Sequence, residues 1–173
     1  MQTLLVATIL AADRPGIVES IASVVTEHGG NWLESRMCRL GGQFAGILRV
    51  SLPAEREAAL VAALQKLQAQ GINANITPNQ PASTSGAIRL SVLEIVGNDR
   101  PGIVRQISRA LSGRGINVEE FTTECVSAPM SGETLFKARA VLQIPASCDL
   151  PALKAELEKI AGELMVDVNL ASA

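Results

Sequence analysis

The hexapeptide Asp-Arg-Pro-Gly-Ile-Val occurs twice, beginning at Asp13 and again at Asp99. The two copies start 86 residues apart in a chain of 173 residues, and the same offset carries Asn31 onto Asn117. Self-similarity at a fixed offset of about half the chain indicates that one structural unit occurs twice. The chain is therefore expected to fold as two copies of one small domain.

An apolar run precedes each hexapeptide, and a helical pattern follows it. Pro15 and Pro101 are predicted to lie in the first turn of these helices, where proline is best tolerated. Glycines end both helices. The apolar positions that share one helical face are Ile17, Ile21, Val24 and Val25 in the first copy and Ile103, Ile107, Ala110 and Leu111 in the second.

Alternation of apolar and polar residues marks the third strand of each copy. Pro53 and Pro145 end these strands, and a second helical pattern and a short last strand follow. The order strand, helix, strand, strand, helix, strand predicts an α+β fold. Two ferredoxin-like domains would each place both helices on one face of an antiparallel sheet. The alternating apolar positions are Phe44, Gly46, Leu48, Val50 and Leu52, and Phe136, Ala138, Ala140, Leu142 and Ile144.

The predicted domain boundaries follow from composition. Residues 1–78 form the first domain, 79–87 a linker and 88–173 the second domain, because Pro78–Gly86 is rich in Pro, Ser, Thr and Gly and lacks apolar periodicity. The copies differ mainly between their second and third strands, where Ser127–Glu133 is longer than its counterpart. This longer loop predicts a difference in role between the copies.

The composition excludes several classes of protein. A net charge of −2 with one Trp, three Phe and no Tyr argues against direct binding of nucleic acid, which needs basic surface and stacking aromatics. No run reaches the roughly 18 apolar residues of a membrane span. Three widely spaced cysteines form neither a disulfide framework nor a metal motif, so a cytoplasmic location is expected.

The turn between the first strand and the first helix has the chemistry to bind an amino acid. Free N–H groups and the helix dipole favour a carboxylate, an aspartate can accept hydrogen bonds from an ammonium group, and glycine removes a Cβ that would block a ligand. An asparagine is expected to face the same corner from the start of the second strand. These residues are Asp13, Gly16 and Asn31 in the first copy and Asp99, Gly102 and Asn117 in the second.

A structural interpretation of the same residues stays open. Asp-Arg-Pro-Gly is also good helix-capping chemistry, and an asparagine after glycine also suits a turn. Catalysis has little support, because the only histidine, His28, has no nucleophile or second ligand near it in sequence. No catalytic residue, metal site or cofactor is predicted.

The repeated pattern of strand, Asp-Arg-Pro-Gly-Ile-Val, helix and Gly-x-Asn resembles the ACT domain, a regulatory module of ferredoxin-like fold that binds small molecules. Two such domains without an attached enzyme resemble the glycine cleavage system transcriptional repressor family. The resemblance implies an amino-acid-sensing transcriptional regulator whose ligand is a small amino acid, with glycine favoured. It also implies repression through contact with a DNA-binding activator protein rather than with DNA itself. Independently of the resemblance, the two copies could pair within one chain or between two chains, and a homodimer is the favoured arrangement.

The family pattern also implies which residues contact the ligand. In the second copy Asn98 stands where the first copy has Ala12, so the second copy is expected to bind better. The contacts implied by the resemblance are Asp13, Arg14, Pro15, Gly16, Ile17 and Asn31, and Asn98, Asp99, Arg100, Pro101, Gly102, Ile103 and Asn117.

Two other functions fit the same residues. One is an allosteric amino-acid-binding subunit that regulates a metabolic enzyme, and the other is a dimerisation module without a ligand. Trp32 follows Asn31 directly, so its fluorescence is expected to report ligand binding at the first corner.

Overall fold

A computed structural model describes residues 1–79, 87–127 and 132–172. The chain divides into two compact units, Met1–Ser83 and Thr84–Ala173. The predicted linker lies almost wholly outside the described residues, as does the middle of the long loop at 128–131.

Each unit contains four strands and two α-helices in the predicted order. Two short 3-10 turns, Ala54–Arg56 and Leu67–Gln70, flank the second helix of the first unit. The first unit consists of β1 (Gln2–Ala12), α1 (Ile17–Glu27), β2 (Asn31–Leu40), β3 (Gln43–Pro53), α2 (Glu57–Lys66) and β4 (Ile72–Pro78). The second consists of β5 (Ile88–Asn98), α3 (Ile103–Ser112), β6 (Asn117–Ser127), β7 (Thr134–Pro145), α4 (Leu150–Leu164) and β8 (Val166–Ser172).

Both sheets have the same topology. The strand order is β2-β3-β1-β4 in the first unit and β6-β7-β5-β8 in the second, and every pair is antiparallel. This is the split βαβ arrangement, so the predicted α+β, ferredoxin-like fold is confirmed.

The core of each unit lies between one face of its sheet and the two helices. Alternate residues of β1 join the apolar face of α1 in a single buried cluster, and β5 and α3 do the same in the second unit. One detail differs from the prediction, because Val24 is only partly buried. The buried face of α4 consists of Leu153, Leu157, Ala161 and Leu164.

The strands β2 and β6 form one edge of their sheets and pair only with β3 and β7 among the described residues. Nearly every residue of both strands is exposed. Their outer backbone groups therefore face away from the ladder. None of the helices in the described part of the chain has the length and apolar character needed to cross a bilayer.

Candidate functional site

The two helices begin at Ile17 and Ile103, after the prolines of the repeated motif rather than at them. The N-cap of α1 is Gly16, with φ 91°, and the N-cap of α3 is Gly102, with φ 104°. Each glycine adopts a left-handed conformation, which no helix continues through, so Pro15 and Pro101 lie outside the helices. The prediction that these prolines occupy the first helical turn is therefore wrong.

The two N-cap glycines are required by their backbone conformation. A Cβ at Gly16 or Gly102 would meet nothing within 4 Å. An L side chain at a left-handed φ is disfavoured by roughly 1–2 kcal/mol, because Cβ approaches the backbone carbonyl. Within each unit the glycine therefore shapes the turn, and steric access for a ligand does not by itself explain it.

The first turn of each helix keeps its N–H groups available. No side chain of the described residues caps the start of α1 or α3. The Gly16 carbonyl oxygen accepts hydrogen bonds from the backbone N–H and the Oγ–H of Ser20, both at 2.9 Å. In α3 the Gly102 oxygen accepts from the backbone N–H of Gln106 at 2.9 Å. The unbonded amides and the positive end of the helix dipole favour an anionic group here.

In the first unit the aspartate of the motif already has a partner. Its carboxylate Oδ2 lies 2.6 Å from Nε of Arg39, near the end of β2, and the side chain of Asp13 is 29% exposed. The backbone N–H of Asp13 donates to the Gly42 oxygen at 2.9 Å. An incoming ammonium group would therefore compete with an arginine of the same unit.

The second unit lacks this ion pair. The residue of β6 that corresponds to Arg39 is Cys125. The backbone N–H of Asp99 donates to the Thr134 oxygen at 2.9 Å, and its exposed carboxylate has no ion-pair partner among the described residues. The two corners are therefore chemically different.

The side-chain amide of Asn98, which the first unit lacks, forms a hydrogen bond within the second unit. Nδ2 of Asn98 donates to Oε2 of Glu133 at 3.2 Å, where the first unit has only Ala12. This contact ties the end of β5 to the residue that precedes β7.

The two motif arginines reach towards the start of the last strand in their units. Nη2 of Arg14 donates to the Gln70 backbone oxygen at 3.0 Å, and Nη2 of Arg100 lies 3.9 Å from Sδ of Met165. Met165 has φ 55°, while Gly71 fills the same place in the first unit with φ 78°. Both arginines therefore connect the turn to the segment before the final strand.

Asn31 lies at the opposite end of the sheet from Asp13. Its partner in the ladder is Ser51, and Ser51 pairs on its other side with Leu4. Leu4 precedes Asp13 by nine residues along β1, which corresponds to roughly 30 Å at about 3.3 Å per residue. The prediction that Asn31 faces the same corner is therefore wrong within one unit.

The second unit repeats this geometry. Asn117 pairs with Gln143, which pairs with Leu90, nine residues before Asp99. The reason is topological, because α3 runs back along the sheet before β6 begins. The role of either asparagine as a ligand contact stays a prediction.

Trp32 lies next to Asn31, at the end of the sheet opposite Asp13. It pairs with Val50 in the ladder, packs against the first core, and donates from Nε1 to Oγ of Ser35 at 3.2 Å. Its fluorescence therefore reports on the far end of the sheet rather than on the turn.

A shallow depression of about 470 Å³ opens at the turn of the first unit. It brings together four of the predicted contacts, the two aliphatic residues Val18 and Ala22, one aromatic ring and one acidic side chain. The lining residues are Asp13, Arg14, Gly16, Ile17, Val18, Glu19, Ala22 and Phe44. In the second unit Pro101 and Gly102 lie at the edge of a larger groove of about 1180 Å³ beside α3 and α4.

The electrostatic environment differs between the two turns. Glu19 stands in the first turn of α1, and the residue at the same repeat position in α3 is Arg105. A carboxylate ligand would meet a negative side chain at the first corner and a positive one at the second. That the second copy binds better stays a prediction.

The described residues offer little for catalysis. His28 follows α1, and its Nδ1–H donates to the Val24 oxygen at 2.8 Å. Across 1–79, 87–127 and 132–172, no cluster of three or more His, Cys, Asp or Glu side chains is arranged to hold a metal ion.

Comparison with known families identifies the module. Residues 3–76 match the model of the ACT domain. These residues form an ACT domain. The second unit has the same element order and sheet topology, so the chain is a tandem of ACT-like domains.

Similar proteins match nearly the whole chain. The glycine cleavage system transcriptional repressor of Escherichia coli (strain K12) is 26% identical over 181 residues, which cover 97% of this chain and 87% of that protein. A crystal structure of an unknown protein from Galdieria sulphuraria is 28% identical, with a TM-score of 0.84 over 100% of this chain and 99% of its own. A crystal structure of a candidate glycine cleavage system transcriptional repressor has a TM-score of 0.72 at 19% identity over 100% and 98%, and this likeness concerns the fold.

Proposed function

We propose that this tandem ACT-like protein is a regulator that binds a small amino acid at the repeated turn and acts on gene expression through another protein. The E. coli relative, a glycine cleavage system transcriptional repressor, supports this role because the likeness covers both ACT-like units. Glycine is the favoured ligand, and a DNA-binding activator of glycine cleavage genes is the favoured partner.

One observation carries the ligand assignment. At the second turn, the Asp99 carboxylate without an ion-pair partner among the described residues lies next to a helix start without a side-chain cap. An amino acid carries the complementary groups. Its ammonium group would bind Asp99, and its carboxylate would accept hydrogen bonds from the first-turn amides of α3.

The small size of the ligand limits its affinity. At a ceiling of about 1.5 kcal/mol per non-hydrogen atom, glycine gains at most about 7.5 kcal/mol, which corresponds to a Kd of a few micromolar. A ligand of this affinity suits the sensing of a metabolite at micromolar or higher concentration. The ligand would act by binding one state of the regulator–partner complex more tightly than the other, which shifts the equilibrium towards the state that it prefers.

Calorimetric titration tests the ligand. Glycine, serine and alanine are titrated into the wild-type protein and into the Asp99→Asn and Asp13→Asn variants. Asp99→Asn is expected to weaken binding by about 10- to 100-fold, because a hydrogen bond to a charged group contributes about 1.5–3 kcal/mol. Asp13→Asn is expected to change it less, because Asp13 already pairs with Arg39.

Asp167→Asn provides the matched control, because this aspartate is exposed on β8 and lies outside both turns. The affinity of the Asp167→Asn variant for each amino acid should equal that of the wild type. Absence of heat and of any thermal stabilisation with all three amino acids would contradict the ligand part of the proposal.

Affinity capture tests the partner. The tagged full chain is used as bait with and without glycine, and bound proteins are identified by mass spectrometry. Recovery of a DNA-binding transcription activator, in an amount that glycine alters, is expected. Recovery of a metabolic enzyme in place of any transcription factor would favour the allosteric-subunit function and contradict the repressor.

A further inference from the structure

The groove beside α3 and α4 is basic, and the proposed amino-acid site accounts only for its edge at Pro101, Gly102 and Arg105. Its volume is about 1180 Å³. Its charged lining residues are Arg105, Arg109, Arg114 and Glu156, and we call it the α3–α4 groove.

One of its three arginines has a structural role. Nε and Nη2 of Arg114 donate to Oε2 of Glu156 at 2.9 and 2.6 Å, and Nη2 also donates to the Ala152 oxygen at 3.3 Å. These bonds join the end of α3 to α4. Arg114 and Glu156 therefore neutralise each other and form one wall of the groove.

The other two arginines have no such role. Arg105 and Arg109 are exposed, and neither forms an ion pair within the described parts of the chain. They stand four residues apart on α3, so their side chains project from the same helical face about 5–6 Å apart at Cβ. Together they present a pair of guanidinium groups to solvent.

Arg105 is unfavourable for the helix that carries it, because it lies in the first turn, where the helix dipole disfavours a cation. Arg109 lies in the last turn, where the dipole favours a cation, but two like charges at i and i+4 repel each other. The sequence of α3 contains no acidic residue that could offset either effect. A bound anionic group would relieve both.

The first repeat shows that the fold does not need these charges. At the same repeat positions α1 carries Glu19 and Ser23, and Oγ of Ser23 donates to Oε1 of Glu19 at 3.1 Å. The acidic residue there suits the N-terminal end of its helix. The basic pair is thus a property of the second unit alone.

We propose that the α3–α4 groove docks an acidic segment of a partner protein. Planar guanidinium groups bind carboxylates through two parallel hydrogen bonds, and the spacing of Arg105 and Arg109 matches carboxylates one helical turn apart on a partner helix. The described lining of the groove includes no aromatic ring on which a base could stack. Acidic protein is therefore favoured over nucleic acid.

This inference rests on the proposed function in one respect, since it locates where the regulator contacts its protein partner. It does not depend on which amino acid binds at the turn. The two proposals can therefore fail separately.

Fluorescence anisotropy tests the docking surface. A fluorescein-labelled peptide of alternating Asp and Glu, about ten residues long, is titrated with the full chain at about 0.1 M salt, at which the Debye length is about 10 Å. The groove variant R105E/R109S introduces the residues of the first repeat. It is expected to bind the peptide at least about tenfold more weakly than the wild type.

The control variant R89E/R139S changes the net charge by the same amount at exposed arginines on β5 and β7. Its affinity for the peptide is expected to stay within about twofold of the wild type. Thermal melts followed by circular dichroism establish that both variants fold. Equal losses in both variants, or no binding by the wild type, would overturn the docking surface.

Two further outcomes would also overturn it. One is tighter binding of a single-stranded oligonucleotide of equal charge, lost in R105E/R109S. The other is self-association of the wild-type chain, measured by sedimentation. It would count against the docking surface if R105E/R109S abolished it and the acidic peptide did not compete with it. Glycine titrations on the wild type keep the proposals apart, because peptide binding without glycine binding would remove the sensor and leave the docking surface.

Discussion

At position 102, backbone conformation decides which residue can stand at the start of α3. We expect Gly102→Ala to lower the free energy of unfolding by roughly 1–2 kcal/mol, because φ is 104° there and open space offers no compensating contact. Urea denaturation measures the change.

Gly162→Ala is the matched control, since this glycine lies inside α4 and a Cβ there would also meet nothing within 4 Å. It is expected to raise the free energy of unfolding by about 0.5–1 kcal/mol, because alanine favours a helix interior. Stabilisation by both substitutions would show that the left-handed turn is not retained.

Arg39 and Asp13 form an ion pair that occupies the first corner. We expect Arg39→Ala to tighten amino-acid binding at that corner, because it frees the Asp13 carboxylate. The free energy of unfolding should change by less than about 1 kcal/mol, since the Arg39 side chain is 72% exposed. Calorimetry on the Asp99→Asn background isolates the first corner, and unchanged affinity there would contradict the competition.

The sequence indicates the turn residues well and their partners poorly. The repeated hexapeptide places Asp13 and Gly16 at a strand-to-helix junction without further information. The Arg39 partner of Asp13 could not be predicted, because it comes from a different strand and no local pattern marks it. The Pro-Gly dipeptide is typical of turns, so it could have indicated the left-handed φ of Gly16.

The helix α4 has the one side-chain cap among the α-helices of the described chain. Asp149 accepts a hydrogen bond from the backbone N–H of Ala152 at 3.1 Å. Asp149→Ala is expected to lower the free energy of unfolding by about 1 kcal/mol, because one N–H at the start of the helix loses its acceptor.

The comparison is with Asp167→Ala, which removes an exposed aspartate of β8 that caps no helix. That variant should stay within about 0.5 kcal/mol of the wild type in the same denaturation experiment. Equal losses from both variants would point to a general charge effect instead of capping.

Periodicity predicts the helices and strands but not the directions in which they run. Alternation correctly assigned β3 and β7, and helical spacing correctly assigned α1 and α3. The prediction that Asn31 lies near Asp13 was wrong because β1 and β2 begin at the same end of the sheet, whereas Asp13 follows the other end of β1. The helix α1 connects β1 to β2 and returns the chain to the end of the sheet where β1 begins. This property of a strand–helix–strand connection is enough to separate Asn31 from Asp13.

At the scale of the molecule, the buried apolar residues of the described chain form two clusters, one in each unit. Leu48 belongs to the first core and Leu142 to the second, and both are fully buried. We expect Leu142→Ala to destabilise the second unit by about 2–5 kcal/mol through the cavity that it leaves. Hydrogen exchange of core amides in β5 and β7 measures the loss.

The core amides of β1 and β3 are the internal control in that experiment, because the two clusters share no buried residue among those described. Leu48→Ala should reverse the pattern. An equal loss of protection in both sheets from either variant would contradict separate cores.

The outer edges of β2 and β6 have a consequence for handling the protein. An uncovered row of amides and carbonyls can add a strand from a neighbouring molecule, and charged side chains oppose that addition. On β6 this protection comes from Glu119, Glu120 and Glu124, whereas β2 carries Glu34, Arg36 and Arg39. Neutralising the glutamates would leave β6 without charge while β2 kept its arginines, so we expect intermolecular pairing to begin at β6.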